Sequence, residues 1–122
     1  MNFKQEEFKK NRLLQMIKHN SRFGNKDGYV KVYPNNSLNH EESKLRIAYK
    51  LKKQGFYVLS EVEFNNGQRA DLVAIKEGKG WIIEVVSSET KESIDNKLNT
   101  YPIEFEIRII NCQDFSLDEF EL

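Results

Sequence analysis

Three carboxylates stand where carboxylates are seldom tolerated. Asp71 lies in Arg69-Ala70-Asp71-Leu72-Val73-Ala74-Ile75, and Glu84 in Trp81-Ile82-Ile83-Glu84-Val85-Val86. Both stretches have the composition of strands, and an acid inside a strand is costly unless it is paired or bound to a metal. Side chains alternate faces along a strand, so Asp71 shares a face with Val73 and Ile75, and Glu84 with Ile82 and Val86. A two-residue turn at Gly78-Lys79 pairs Val73 with Glu84 and Asp71 with Val86. The two acids then become diagonal neighbours, roughly 7–8 Å apart at the backbone. Carboxylates at that spacing can share a divalent cation, and oxygen donors suit Mg²⁺ or Mn²⁺. A third acid comes from a helix read from Glu41 to Gln54. With Leu45, Ala48 and Leu51 as its buried stripe, Glu41 falls inside the stripe, Glu42 off it and Lys44 at its edge. Glu41, Asp71 and Glu84 are the candidate constellation. The competing reading is structural ion pairing, Glu84 with Lys44 and Asp71 with Arg69.

The elements that must position these acids follow from pattern and punctuation. The helix carrying Glu41 is closed by Gly55. Strands are expected over Phe56–Phe64, Arg69–Ile75 and Trp81–Val86, divided by Asn65-Asn66-Gly67 and by the tight turn Glu77-Gly78-Lys79-Gly80. A second helix spans Thr90–Tyr101, capped by Ser87 or Ser88 and followed by Pro102. A fourth strand runs from Ile103 to Ile110. The order is αβββαβ, and the helical crossover between the last two strands favours parallel pairing there. Ahead of this core (40–113) lies an extension, 1–39. It comprises a helix over residues 4–19, a loop from Ser21 to Gly28 and a short strand, Tyr29–Tyr33. An acidic tail, 114–122, follows the core.

The chain has 122 residues with 39% hydrophobic and 31% charged content, enough for one α/β domain. No apolar run approaches the length of a membrane span, and no apolar signal core follows Met1. One cysteine, Cys112, precludes an internal disulfide. The expectation is a cytoplasmic, intracellular protein. Charge balances overall but not locally. Residues 1–39 hold eight Lys/Arg against three Asp/Glu, a net of +5, and the remainder eleven against sixteen, a net of −5. A basic arm bearing Lys9, Lys10, Arg12, Lys18, Arg22 and Lys26 is suited to phosphates, and equally to the acidic remainder of its own chain.

Taken together, these residues and this order of elements resemble the PD-(D/E)xK nuclease superfamily, whose members include restriction endonucleases and archaeal Holliday junction resolvases. The resemblance runs from Glu41 to Ile110. His40-Glu41-Glu42-Ser43-Lys44, Gly55-Phe56 and Asn66-Gly67-Gln68-Arg69-Ala70-Asp71 are similar to segments of small nuclease-like proteins of archaea and their viruses. The family pattern has an acid on the first helix, an acid at the second strand and an acid-x-lysine on the third. These map to Glu41, Asp71 and Glu84-Val85-Val86. Ala70 replaces the motif's proline, and Val86 stands where the lysine belongs. The resemblance implies a restriction endonuclease-like core with a mixed central sheet. It implies a magnesium-dependent endonuclease cutting DNA phosphodiester bonds, with the metal held by Asp71, Glu84 and the Val85 carbonyl and assisted by Glu41. A lysine from another element would replace the missing one, with Lys44 the first candidate and Lys91 and Lys97 the alternatives. Ser87, with the basic arm, would contact DNA, and a homodimer would use Phe23, Tyr29 and Tyr33.

Two other readings compete. Val86 in the lysine position suggests a catalytically silent nucleic-acid-binding member of the fold. Zero net charge and the acidic tail suggest a protein-interaction module. Other chemistries lack support. There is no phosphate-binding P-loop, His19 and His40 have no partner at metal-ligand spacing, and Cys112 has no neighbouring histidine to activate it.

Overall fold

A computed structural model describes residues 2–24, 26–87 and 89–122, without the side chains of residues 22–24. Four helices and four strands run in the order α1 (Phe3–Leu14), α2 (His19–Gly24), α3 (Leu38–Lys53), β1 (Tyr57–Glu63), β2 (Arg69–Lys76), β3 (Lys79–Val86), α4 (Lys91–Thr100) and β4 (Phe105–Asn111). The strands form one mixed sheet in the order β1-β2-β3-β4. The first three form an antiparallel meander, and β4 pairs parallel to β3. That parallel pairing is what a helical crossover demands.

Apolar clusters cover both faces of the sheet. On one, Ile47, Ala48 and Leu51 of α3 pack against Val58, Leu72, Ile83 and Val85, with Cys112 and Phe120 of the C-terminal segment beside them. On the other, Leu13 of α1, Ile17 and Tyr101 pack against Leu59, Val73, Ile82 and Phe105. The tail is therefore part of the core as well as acidic. Lys50 holds it by donating to the Leu117 and Phe120 carbonyls at 2.7 and 2.6 Å. The buried stripe of α3 differs from the expected one. Leu45 is 55% exposed, and Glu41, Lys44, Ile47, Ala48 and Leu51 face inward.

Caps and turns explain the boundaries. Ser37 accepts from the His40 N–H and starts α3 three residues earlier than expected. Gly55, at φ 88°, ends it with Phe56 N–H on the Leu51 carbonyl and Gly55 N–H on the Lys52 carbonyl, a Schellman closure. Thr90 caps α4 by accepting from Ser93 N–H. Ser87 is an exposed bend and does not cap, and Ser88 lies outside the described residues. The first helix stops at Leu14, short of the expected residue 19, because Ile17 turns away to bridge Phe64 and becomes fully buried. Residues 29–33 form no strand. They lie along β1 and bind it through side chains, with Lys31 N–H donating to Ser60 Oγ at 2.8 Å and Ser60 Oγ donating to the Tyr29 carbonyl at 3.1 Å.

Candidate active site

The β2–β3 hairpin turns at Glu77-Gly78, with Lys76 paired to Lys79. Positive φ at both turn residues, 53° and 78°, fits the primed turn whose twist matches the strands. This shifts the register by two residues from a Gly78-Lys79 turn. Val73 pairs with Ile82 and Leu72 with Ile83, which is where the ladder ends. Asp71 and Glu84 thus lie directly across the gap that opens beyond the last pair.

The pairing of β1 with β2 passes over Glu61 and Asp71, between Ser60↔Leu72 and Val62↔Ala70. Glu61 has φ 50°, a left-handed conformation uncommon outside glycine. Facing alternation breaks here. Leu59 and Val62 join the same cluster, as do Ala70 and Val73, although strict alternation would separate each pair. Asp71 sits at this break. Its Oδ2 accepts from the Val85 N–H at 2.7 Å, taking a strand amide that the ladder leaves free. The same oxygen lies 3.5 Å from His40 Nε2.

His40 links two acids, because its Nδ1 is 2.9 Å from Glu41 Oε2. The hydrogen bond to Asp71 above all, with Glu41 behind it, outweighs partial burial and raises the imidazole to about 9. Burial opposes the Glu41 charge, but Tyr33 N–H, Lys44 and His40 together hold this carboxyl at about 2. The Tyr33 N–H reaches Glu41 Oε1 at 2.5 Å. Lys44 has no exposed side-chain surface and joins Glu41 at 2.9 Å to Glu61 at 2.8 Å. Its ammonium lies 5.5 Å from the centre of the Tyr33 ring. Burial alone would lower Lys44, yet Glu61 and Glu41 raise it. This lysine is a strut joining α3 to the irregular residue of β1. The expected pairing of Glu84 with Lys44 does not form, and Asp71 is partnered by His40, not Arg69.

Glu84 is nearly enclosed. Burial first, and the Asp71 charge second, push its carboxyl up to about 8. Tyr101, at the end of α4, bonds to Glu84 Oε1 and also lies 2.7 Å from the Arg69 carbonyl. A hydroxyl carries one proton and a carbonyl can only accept, so a protonated Glu84 can donate to the phenol oxygen while the phenol donates to Arg69. Burial and the neighbouring Glu84 together raise the Tyr101 hydroxyl above its ordinary range. Lys97 of α4 brings its ammonium to 3.8 Å from Glu84 Oε2 and 2.8 Å from Glu89 Oε2. Of the three lysines considered from sequence, Lys97 is the one beside the acid pair, whereas Lys91 is exposed at the start of α4.

The donor chemistry fits a divalent ion in part. Asp71 and Glu84 form an acid pair in which burial first, and the Asp71 charge second, favour the protonated form of Glu84, an arrangement that a cation relieves. Glu41 does not fit as a ligand, since Tyr33, His40 and Lys44 occupy both of its oxygens. Among the described residues, no three His, Cys, Asp or Glu side chains are arranged to hold a metal.

The basic set does not converge on this site. Lys9 and Arg12 line a groove of about 230 Å³ with Gly78 of the hairpin turn. That turn is roughly 20 Å along the strands from Asp71. Lys10 stacks on Tyr57 at 4.3 Å and Lys18 pairs with Glu63 at 2.8 Å. Lys26 lies 5.7 Å from the Tyr29 ring centre. The side chains of Arg22 and Phe23 lie outside those described, the half-buried Tyr33 lies beside Lys44, and Tyr29 is exposed. His40 and Tyr101 are the residues that sequence reasoning missed. The available signal for His40 was its place next to an inward glutamate at a helix start. No helix among the described residues is long and apolar enough to cross a membrane. Comparison with protein-family models, with curated proteins and with solved structures finds no match to this chain, so its functional reading rests on sequence pattern and geometry.

Proposed function

We propose that this chain is a metal-dependent DNA endonuclease of the PD-(D/E)xK type, acting inside the cell on phosphodiester bonds. The observation that carries the reading is the Asp71–Glu84 pair at the opening between β2 and β3, with Lys97 3.8 Å from Glu84. An αβββαβ order with β4 parallel to β3 agrees with a restriction endonuclease-like core. Mg²⁺ or Mn²⁺ held by Asp71, Glu84 and the Val85 carbonyl would supply an activated water and stabilise charge on the phosphate. The Val85 N–H fixes Asp71, and Tyr101 fixes Glu84. Lys97 takes the part of the lysine replaced by Val86 and stabilises developing negative charge, a contribution of about 10²–10⁴ in rate. Glu41 and Lys44 act as positioning residues, through His40 and Glu61. Ser87, exposed just beyond β3, would contact a DNA strand, and Lys9 and Arg12 would hold flanking backbone.

A second reading, a silent DNA-binding protein, is favoured by Val86, which is 6% exposed and cannot contribute charge. Incubation of supercoiled, linear, single-stranded and branched DNA with Mg²⁺, Mn²⁺ or EDTA separates the two. The nuclease reading expects metal-dependent cleavage that is lost in Asp71→Ala and Glu84→Ala and strongly reduced in Lys97→Ala. Salt-dependent binding without cleavage supports the silent binder.

A further inference from the structure

The two edges of the sheet are treated differently. Along β1, the outer edge is covered by the extension. Gly28 N–H donates to the Val58 carbonyl at 2.9 Å and Val58 N–H to Asp27 Oδ1 at 2.8 Å. Lys18 N–H donates to the Glu63 carbonyl at 2.9 Å and Glu63 N–H to Ser21 Oγ at 3.1 Å. Along β4, among the described residues, no backbone group from Glu106 to Ile110 bonds to any segment but β3. An open strand edge is a template for another strand, and proteins usually cover or blunt it.

The sequence of the open edge is complementary to itself. Glu106 and Arg108 alternate with Ile107 and Ile109, and their side chains are 58% and 41% exposed. They point to one face and lie 3.6 Å apart within the strand. An antiparallel pair of β4 strands related by a two-fold axis at Ile107 sets Glu106 opposite Arg108 of the second copy, twice. A register centred one residue later sets Arg108 against Arg108, which is repulsive. Charge therefore selects a single central register, with Ile107 meeting Ile107 on the opposite face.

We propose that β4 is a homodimer interface, in which two copies of this chain join edge to edge into one eight-stranded sheet with the register centred on Ile107. This assigns the interface to β4 and does not depend on the nuclease reading. The self-complementary contact is the isologous kind that two-fold dimers use.

The test is sedimentation equilibrium of wild type, Arg108→Glu, Glu106→Arg and the double exchange Glu106→Arg/Arg108→Glu, with circular dichroism to check folding. The proposal expects a wild-type dimer. Each single reversal, turning two attractive pairs repulsive, weakens it at least about tenfold. The double exchange restores dimerisation, which guards against mere damage to β4 or to the Glu106–Trp81 hydrogen bond. A monomeric wild type overturns the proposal and leaves the two charges as guards of the edge. A dimer indifferent to both single reversals overturns it too, and points to the exposed Leu45 and Tyr49 of α3 instead.

Discussion

Replacing Glu84 by Gln probes the acid pair without emptying its space. The carboxyl of Glu84 is 3% exposed and is raised from 4.5 to about 8, by burial first and by Asp71 second. A folded-state value above the unfolded one means that the native state binds the proton more tightly. The cost is therefore absent below about pH 4.5, grows as pH rises and is complete above about pH 8. At about 1.4 kcal/mol for each pH unit between those limits, its ceiling is about 5 kcal/mol. The effective dielectric of a real protein, well above that of a dry interior, brings the expected value nearer about 2 kcal/mol. Glu84→Gln removes this cost, because an amide does not ionise. In EDTA, calorimetry at pH 9 should find the variant melting about 5–8 °C above wild type. At pH 5 the two should agree within about 1 kcal/mol, or wild type should lead slightly, since its protonated carboxyl bonds Tyr101 well. An equal difference at pH 5 and pH 9 would refute the reasoning. So would a variant less stable than wild type at pH 9.

Lys44 and Lys97 should separate cleanly. Lys44→Ala leaves Glu41 and Glu61 with an uncompensated buried charge and should cost about 3–5 kcal/mol in urea denaturation, whereas Lys97→Ala should cost under about 1 kcal/mol and act on cleavage instead. Stability should be greatest toward the acid end of the window from about pH 4.5 to 6.5, since the Glu84 cost grows across it, measured by melting across pH. Below that window Glu41, held at about 2, is progressively neutralised; above it His40, raised to about 9, loses its proton and its bonds to Asp71 and Glu41. Gly80→Ala should destabilise by about 1–3 kcal/mol, because the added carbon would stand 2.7 Å from two Phe105 ring carbons; a neutral result in urea would show that Phe105 can retreat.

Much of the core was legible because its signals are local. Gly55 marks a Schellman turn, strand composition brackets Asp71 and Glu84, and an inward glutamate on α3 follows from helical spacing. Register was not legible, since a glutamate in a left-handed conformation is not an expected turn residue, yet Glu77 leads the turn. The exchange of Lys44 for Lys97 depends on Glu61, whose inward turn needs the break in β1 that no pattern announces. Leu45 was misplaced because it lies one position off the true stripe, which passes through Lys44, whereas Glu41, Ala48 and Leu51 face inward as expected. The strand expected at Tyr29–Tyr33 fails for a different reason, in that Asp27 and Ser60 side chains do the joining that a ladder would do.

The measurement closest to the central claim is calorimetric titration of Mn²⁺ into the protein at pH 7, in two buffers of different ionisation enthalpy. The account predicts that an ion binds with release of about one proton from Glu84, and that Asp71→Asn abolishes binding while Glu84→Gln abolishes the proton release. Absence of binding by folded wild type, or binding unaffected by both variants, would contradict it.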